Sequence, residues 1–223
     1  MIAPSESQLA WVRPPQQARS QATLSRLLDA AEALLAEKSW EDSAVHEIAR
    51  RASSSVGAFY ARFRDKDGLL RSLQERFLTE AFVTADVALD PQRWERAPIR
   101  EIVCEVVTFL VGIYRERAAL LRALQLRAAA DEDFRARGVR LTRHIASGLR
   151  TLVLAHREEV THPDPALAAD FSLRIVLAVL LHRLLLGEGV LRTAPLSDRQ
   201  LAAELTRVCL AHMGVVHTNA STP

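Results

Sequence analysis

Cysteine is scarce: Cys104 and Cys209 are the only two in 223 residues, and both sit far apart inside apolar helical patterns. That usage fits buried free thiols better than a disulfide framework. Glycine (8) and aromatic residues (5%) are also few, and β-branched residues cluster only in short apolar runs, which argues against a sandwich or barrel. Charge of one sign is lacking too. The net charge is +2, so the chain as a whole offers no broad polyanion-binding field. The most apolar stretch, Phe171 to Leu186, is broken by Arg174, His182 and Arg183, too short and too charged to cross a bilayer. The opening MIAPSESQLAWVRPPQQ has no basic segment followed by an apolar one, so no signal peptide is expected and a cytoplasmic location is predicted.

Catalytic signatures are missing as well. There is no G-x-S-x-G, no HExxH, no phosphate-binding glycine loop and no close cysteine pair. Glu158 and Glu159 occupy successive helical positions and point apart, and the histidines show no ligand spacing on one face. No enzyme, metal or cofactor is therefore predicted.

What is present is rich in Leu, Ala and Arg, with 49% hydrophobic and 25% charged residues. Straight-chain side chains lose little freedom in helices, so this mixture favours an all-α fold. Residues 1–17, with three prolines and no periodicity, read as a disordered arm. Its Trp11 and Arg13 leave a second reading open, an arm entering a DNA minor groove. From about residue 19 to 38, Leu24, Leu27, Leu28, Ala31, Leu34 and Leu35 recur at helical spacing. Ser43 is placed to cap a short helix that buries Val45, Ile48 and Ala49. A break at Ala52-Ser53-Ser54 precedes another short helix, from about 54 to 60, and Asp65 caps a longer one bearing Leu69, Leu70, Leu73 and Phe77. A proline-bracketed linker holds Trp94. Helices follow at about 98–116, 118–129, 132–157, 164–187 and 197–213, and residues 214–223 form a frayed tail.

Two short helices across a tight turn, backed by a longer helix, outline a helix-turn-helix. The residues sharpen the outline. Segment 43–70, SAVHEIARRASSSVGAFYARFRDKDGLL, carries Ile48, Ala49, Ser55, Gly57, Phe59, Tyr60, Phe63, Lys66 and Leu69 at the spacing of one known motif. In these residues it closely resembles the DNA-binding segment of the TetR family of bacterial regulators. The resemblance implies a three-helix DNA-binding domain over 18–66 and a larger effector-binding and dimerisation domain over 67–213. It also implies a double-stranded operator, a homodimer and, by the family's usual mode, repression relieved by a small molecule.

Physical reasons support individual positions. Phe59 and Phe63 anchor the second short helix in a small core, and Gly57 leaves its backbone free to approach DNA. Tyr60, Arg62 and Lys66 suit phosphate oxygens, which set register without reading sequence. Local positive charge comes from Arg50, Arg51, Arg62, Arg64 and Lys66, opposed within that run only by Asp65. Ser54, Ser55, Val56, Gly57 and Ala58 form the expected base-reading face, with Ser43 at the edge of the motif. Val56 and Ala58 offer apolar contact suited to a thymine methyl. His46 has two readings, a DNA contact or a solvated histidine. Ser53 and Ser54 depart from the family's glycine and apolar residue in the turn, and Ala58 replaces its usual threonine. A non-glycine residue there costs on the order of 1 kcal/mol. An interaction module that has lost operator recognition is therefore the alternative.

In the second half, Leu177, Leu180, Leu181, Leu184, Leu185, Leu201, Leu205, Val208 and Cys209 lie on faces suited either to an intramolecular core or to a four-helix dimer interface. Because segment 171–186 is apolar nearly all round, its helix is expected to be buried on both sides, by the domain and by a partner. Phe109, Tyr114, Phe134, Phe171, Arg174 and His182 are candidates to line a pocket for a small apolar or amphipathic effector. The plainer reading of Arg174 and His182 is as internally satisfied core residues.

Overall fold

A computed structural model describes residues 18–187 and 194–215. Trp11, Arg13 and most of the expected C-terminal tail lie outside these residues. The described residues are helical, with no strand among them: α1 (Ala18–Leu35), α2 (Val45–Arg51), α3 (Val56–Tyr60), α4 (Lys66–Ala88), α5 (Pro91–Trp94), α6 (Ile99–Glu116), α7 (Ala118–Ala130), α8 (Glu132–Ala155), α9 (Pro165–Leu186) and α10 (Asp198–Met213). No helix among the described residues is long and apolar enough to cross a membrane.

Local chemistry sets most of the boundaries. Asp65 accepts the Gly68 N–H (2.8 Å) to start α4, and Asp131 accepts the Phe134 N–H (3.0 Å) to start α8. Asp164, followed by Pro165, caps α9 through the Leu167 N–H. Ser197 and Gln200 form a reciprocal capping box on α10. That helix ends at Gly214 in the left-handed region (φ +68°), where a Cβ would fall 2.1 Å from Thr161 Oγ1. The expected linker around Trp94 is instead a single helical turn. Asp90 caps it, and Trp94 is buried with its indole N–H donating to the Ala88 carbonyl (2.7 Å).

Two compact units result, and they do not follow chain order. The first comprises the described residues up to 83 together with 119–141, the second residues 84–118 and those from 142 onward. The first buries one core in which Leu24, Leu27, Leu28, Ile48, Phe59, Phe63, Leu69 and Leu73 pack with Leu120, Leu124 and Phe134. Residues 67–83 and 119–141, assigned by sequence to the larger domain, thus pack with the N-terminal helices. The reason is apolar matching: α4 is buried through Leu69, Leu70 and Leu73, and α7 and the start of α8 supply the facing Leu120, Leu124 and Phe134. Arg71 on α4 pairs with Asp131, and Arg127 pairs with Asp67 at 2.8 Å.

In the second unit α6, α9 and α10 pack on one another around Ile102, Val107, Val176, Leu180, Leu205 and Leu210. Both cysteines are free thiols. Cys209 is buried, and burial pushes its thiol up to about 11. Cys104 is exposed, contrary to expectation, because the buried stripe of α6 runs through Ile99, Ile102, Val103 and Val107 and leaves position 104 beside it.

Candidate nucleic-acid interface

The stretch from α1 to the start of α4 is held by many short-range ties. Lys38, just past α1, donates to both carboxylate oxygens of Glu47 on α2 (2.7 and 2.8 Å). Glu47 also accepts the Ala44 N–H (3.2 Å), and these bonds hold its carboxyl below the usual range. Ala44, not Ser43, takes the N-cap position of α2. Ser43 is 1% exposed and its hydroxyl donates to the Ser39 carbonyl (2.8 Å), so it braces the preceding loop and offers nothing to a ligand. A serine before a helix reads as a cap in sequence; here the loop bends the hydroxyl inward.

The turn between α2 and α3 has the geometry that a glycine favours. Ser53 has φ +49°. Its N–H donates to the Arg50 carbonyl (3.0 Å), and the Ser54 N–H donates to the Ala49 carbonyl (2.9 Å). This pair of bonds is a Schellman closure with serine in the left-handed position. From α1, Arg26 Nε reaches the Ala52 carbonyl (3.1 Å) and fixes the same turn from behind.

Ser55 then caps α3, its hydroxyl accepting the Ala58 N–H at 3.0 Å. Phe59 is fully buried, with Phe63 at a ring separation of 5.2 Å. The opposite side of α3 is open. Val56 is 42% exposed, Tyr60 is 50% exposed, and Gly57 and Ala61 are exposed as well. Ser54 and Ala58 are half-buried. A Cβ on Gly57 would meet only Ser55 Oγ, at 3.8 Å, so nothing in the chain itself requires glycine there.

The positive charges divide into two groups. Arg51 is paired with Glu37 on the surface, and Arg62 Nη1 donates to the Ala58 carbonyl (3.0 Å). Partial burial beside Arg26 lowers the Arg62 pKa. Arg50 and Arg64 are exposed, as is the side chain of His46. Lys66 differs most from expectation. Its ammonium donates to the carbonyls of Trp40 (2.7 Å), Glu41 (3.0 Å) and Ser43 (3.2 Å) and lies 5.2 Å from the Trp40 ring centre. An ammonium has three N–H donors, and all three are engaged. Lys66 in this structure is a staple between α4 and the loop before α2, and its hydrogen atoms are not free for a phosphate.

The six candidate effector residues fall in both units. Phe134 lies in the core of the first unit, its carbonyl accepting from Gln74 (2.8 Å). In the second unit Tyr114 packs against the core, and burial raises its pKa. Phe109 is exposed on α6, and Phe171, Arg174 and His182 are exposed on α9. Arg174 and His182 do share a face, as their spacing implies. That face is the outer one, because Ser172, Leu173, Val176 and Leu180 take the inner positions. No local pattern signals the polar tie between Arg71 and Asp131, which 60 residues separate.

Comparison with known proteins bears on the same segment. Residues 27–73, from the middle of α1 into α4, match the profile described as bacterial regulatory proteins, tetR family. No curated protein matches the chain in sequence. Among solved structures, a candidate TetR-family transcriptional regulator from Mesorhizobium loti superposes with a TM-score of 0.70 at 16% identity, over 89% of this chain and 98% of that one. SmeT, the repressor of the Stenotrophomonas maltophilia multidrug efflux pump SmeDEF, gives 0.64 at 20% identity over 92% and 98%. The TetR-family regulator PfmR from Thermus thermophilus gives 0.62 at 21% over 83% and 97%. The N-terminal helices are thus those of the TetR family of bacterial regulatory proteins, and the chain as a whole has the fold of that family's DNA-binding transcriptional regulators.

Proposed function

We propose that the chain is a homodimeric repressor that binds a palindromic operator through α2 and α3 and is released by a small apolar or amphipathic effector. The observation that carries the DNA-binding reading is the open face of α3, with Val56, Gly57 and Tyr60, and exposed Arg50 and Arg64 on the same small domain. Apolar contact in the middle with guanidinium groups nearby suits a groove lined by phosphates. In this reading Val56, Gly57, Ala58 and Ser54 face bases, while Tyr60, Arg62 and His46 meet the backbone. Ser55, Ser43 and Lys66 support them from within.

Dimerisation is assigned to α9 and α10, within residues 164–187 and 197–213. Leu167, Phe171, Val179, Leu185 and Leu186 of α9 stay partly exposed beside Arg174 and His182, with the Phe171 ring 5.1 Å from that of His212, although the inner face of the helix is already buried. Several large apolar side chains exposed together on a helix whose other face is buried call for further cover. The effector is assigned to the second unit, where Tyr114 packs.

Selection of bound duplexes from a random pool tests the reading. The expected result is one enriched palindrome with half-sites about 34 Å apart or a multiple of that. In gel shifts on that duplex, Arg64→Ala and Tyr60→Phe weaken binding to all sequences alike. Binding without enrichment would favour a helical module that has lost operator recognition.

A further inference from the structure

Apart from Tyr60 at its C-terminal end, the open face of α3 presents little hydrogen-bonding chemistry to base edges. Ser55, the polar residue nearest its start, has its hydroxyl oxygen engaged as the helix cap, accepting the Ala58 N–H at 3.0 Å, and keeps a single O–H to donate. Ala58 is half-buried and its carbonyl already accepts from Arg62. Beyond the small hydroxyls of Ser54 and Ser55, its N-terminal end presents the Val56 side chain and the bare backbone of Gly57.

Glycine at 57 makes this informative. Glycine inside a helix is less favourable than alanine, and here the chain has open space for a side chain. Its backbone is helical, with no positive φ to demand glycine. Nothing internal explains the residue, so the reason for it lies outside the protein. A smooth Val–Gly surface lets the helix approach an apolar feature at close range. In a DNA major groove that feature is the 5-methyl group of thymine, the only apolar group that the base edges present there.

We infer that this protein reads its operator through thymine methyl groups seated against Val56, with Gly57 allowing the close approach. This rests on the DNA-binding reading above and specifies what the site recognises. Two dissimilar outcomes follow from the geometry. Gly57→Ala fills open space in the free protein and raises its melting temperature, yet weakens operator binding. Val56→Ala leaves folding unchanged, because the side chain is exposed, but removes the methyl contact.

The full-length chain and its selected duplex provide the test, with thymines replaced one at a time by deoxyuridine, which lacks only the methyl. One or two positions in each half-site should lose about fourfold in affinity, the effect of one buried methyl-sized group. That sensitivity should vanish in Val56→Ala. If every deoxyuridine duplex binds as tightly as the parent while scrambled DNA does not, the inference fails and operator binding stands. Sensitivity that persists in Val56→Ala overturns the assignment to Val56. Should no sequence be enriched at all, the DNA-binding reading fails first, and the inference falls with it.

Discussion

Ser53 occupies a backbone conformation that an L-residue adopts at a cost, and the reason it does so is visible around it. The two Schellman bonds close α2, Arg26 holds the Ala52 carbonyl, and Ser55 must start α3 two residues later. The turn is overdetermined by its neighbours, so the strain is tolerated. Ser53→Gly should therefore stabilise the free protein by about 0.5–1 kcal/mol, seen as a higher midpoint in urea unfolding. An unchanged or lower midpoint would mean that the serine hydroxyl compensates for the conformation. Lys66 is likewise held by its neighbours. Its three carbonyl partners lose their donor in Lys66→Met, which should cost about 1–2 kcal/mol of stability in the absence of DNA. A residue that served only as a phosphate ligand would leave the melting curve of the free protein unmoved.

At the scale of elements, the N-terminal helices depend on segments far along the chain. Phe134 at the start of α8 is fully buried among Leu69, Leu73, Leu120 and Leu124. Phe134→Ala should cost about 3–5 kcal/mol. Amide exchange in α1 and α4 should accelerate even though the substitution is remote in sequence. Exchange confined to α7 and α8 would show that the two segments are not one cooperative unit. The same junction has a pH dependence. The Phe134 N–H, with Arg71 and Arg127 nearby, holds the Asp131 carboxyl below its usual value. A folded-state pKa below the unfolded one gives stability that is complete above about pH 4 and is lost as the pH falls through the folded value. Thermal melts across the acid range should show this limb, and Asp131→Asn should flatten it.

For the whole molecule, the deciding surface is the outer side of α9. Phe171 and Leu185 stand on it among other apolar side chains, and the inner side is already committed to α6 and α10. Replacing both with aspartate should convert the proposed dimer to a monomer in sedimentation velocity with little change in helix content. Operator affinity should fall steeply, because two half-sites would no longer be held by one particle. A protein that sediments unchanged after both substitutions would place the subunit contact elsewhere.

Much of this organisation could be read from local sequence. Helical spacing of Leu24 to Leu35, the aspartate cap at 65, and the motif from Ile48 to Leu69 depend mostly on near neighbours in the chain. They fixed the all-α class, the helix boundaries within a few residues, and the family of the N-terminal helices. What the tertiary structure decided concerns partners across long separations. Lys66 meets carbonyls about 25 residues earlier, and Arg71 meets Asp131 60 residues later. Ser43 turns inward and Cys104 outward, and residues 119–141 join the N-terminal core. Helical periodicity says that a face is apolar and a residue is charged. It does not say which of several apolar faces will close over it, or which carbonyls will reach a cation first. Those outcomes depend on how side chains from distant segments fill one close-packed volume, and only the folded chain decides that.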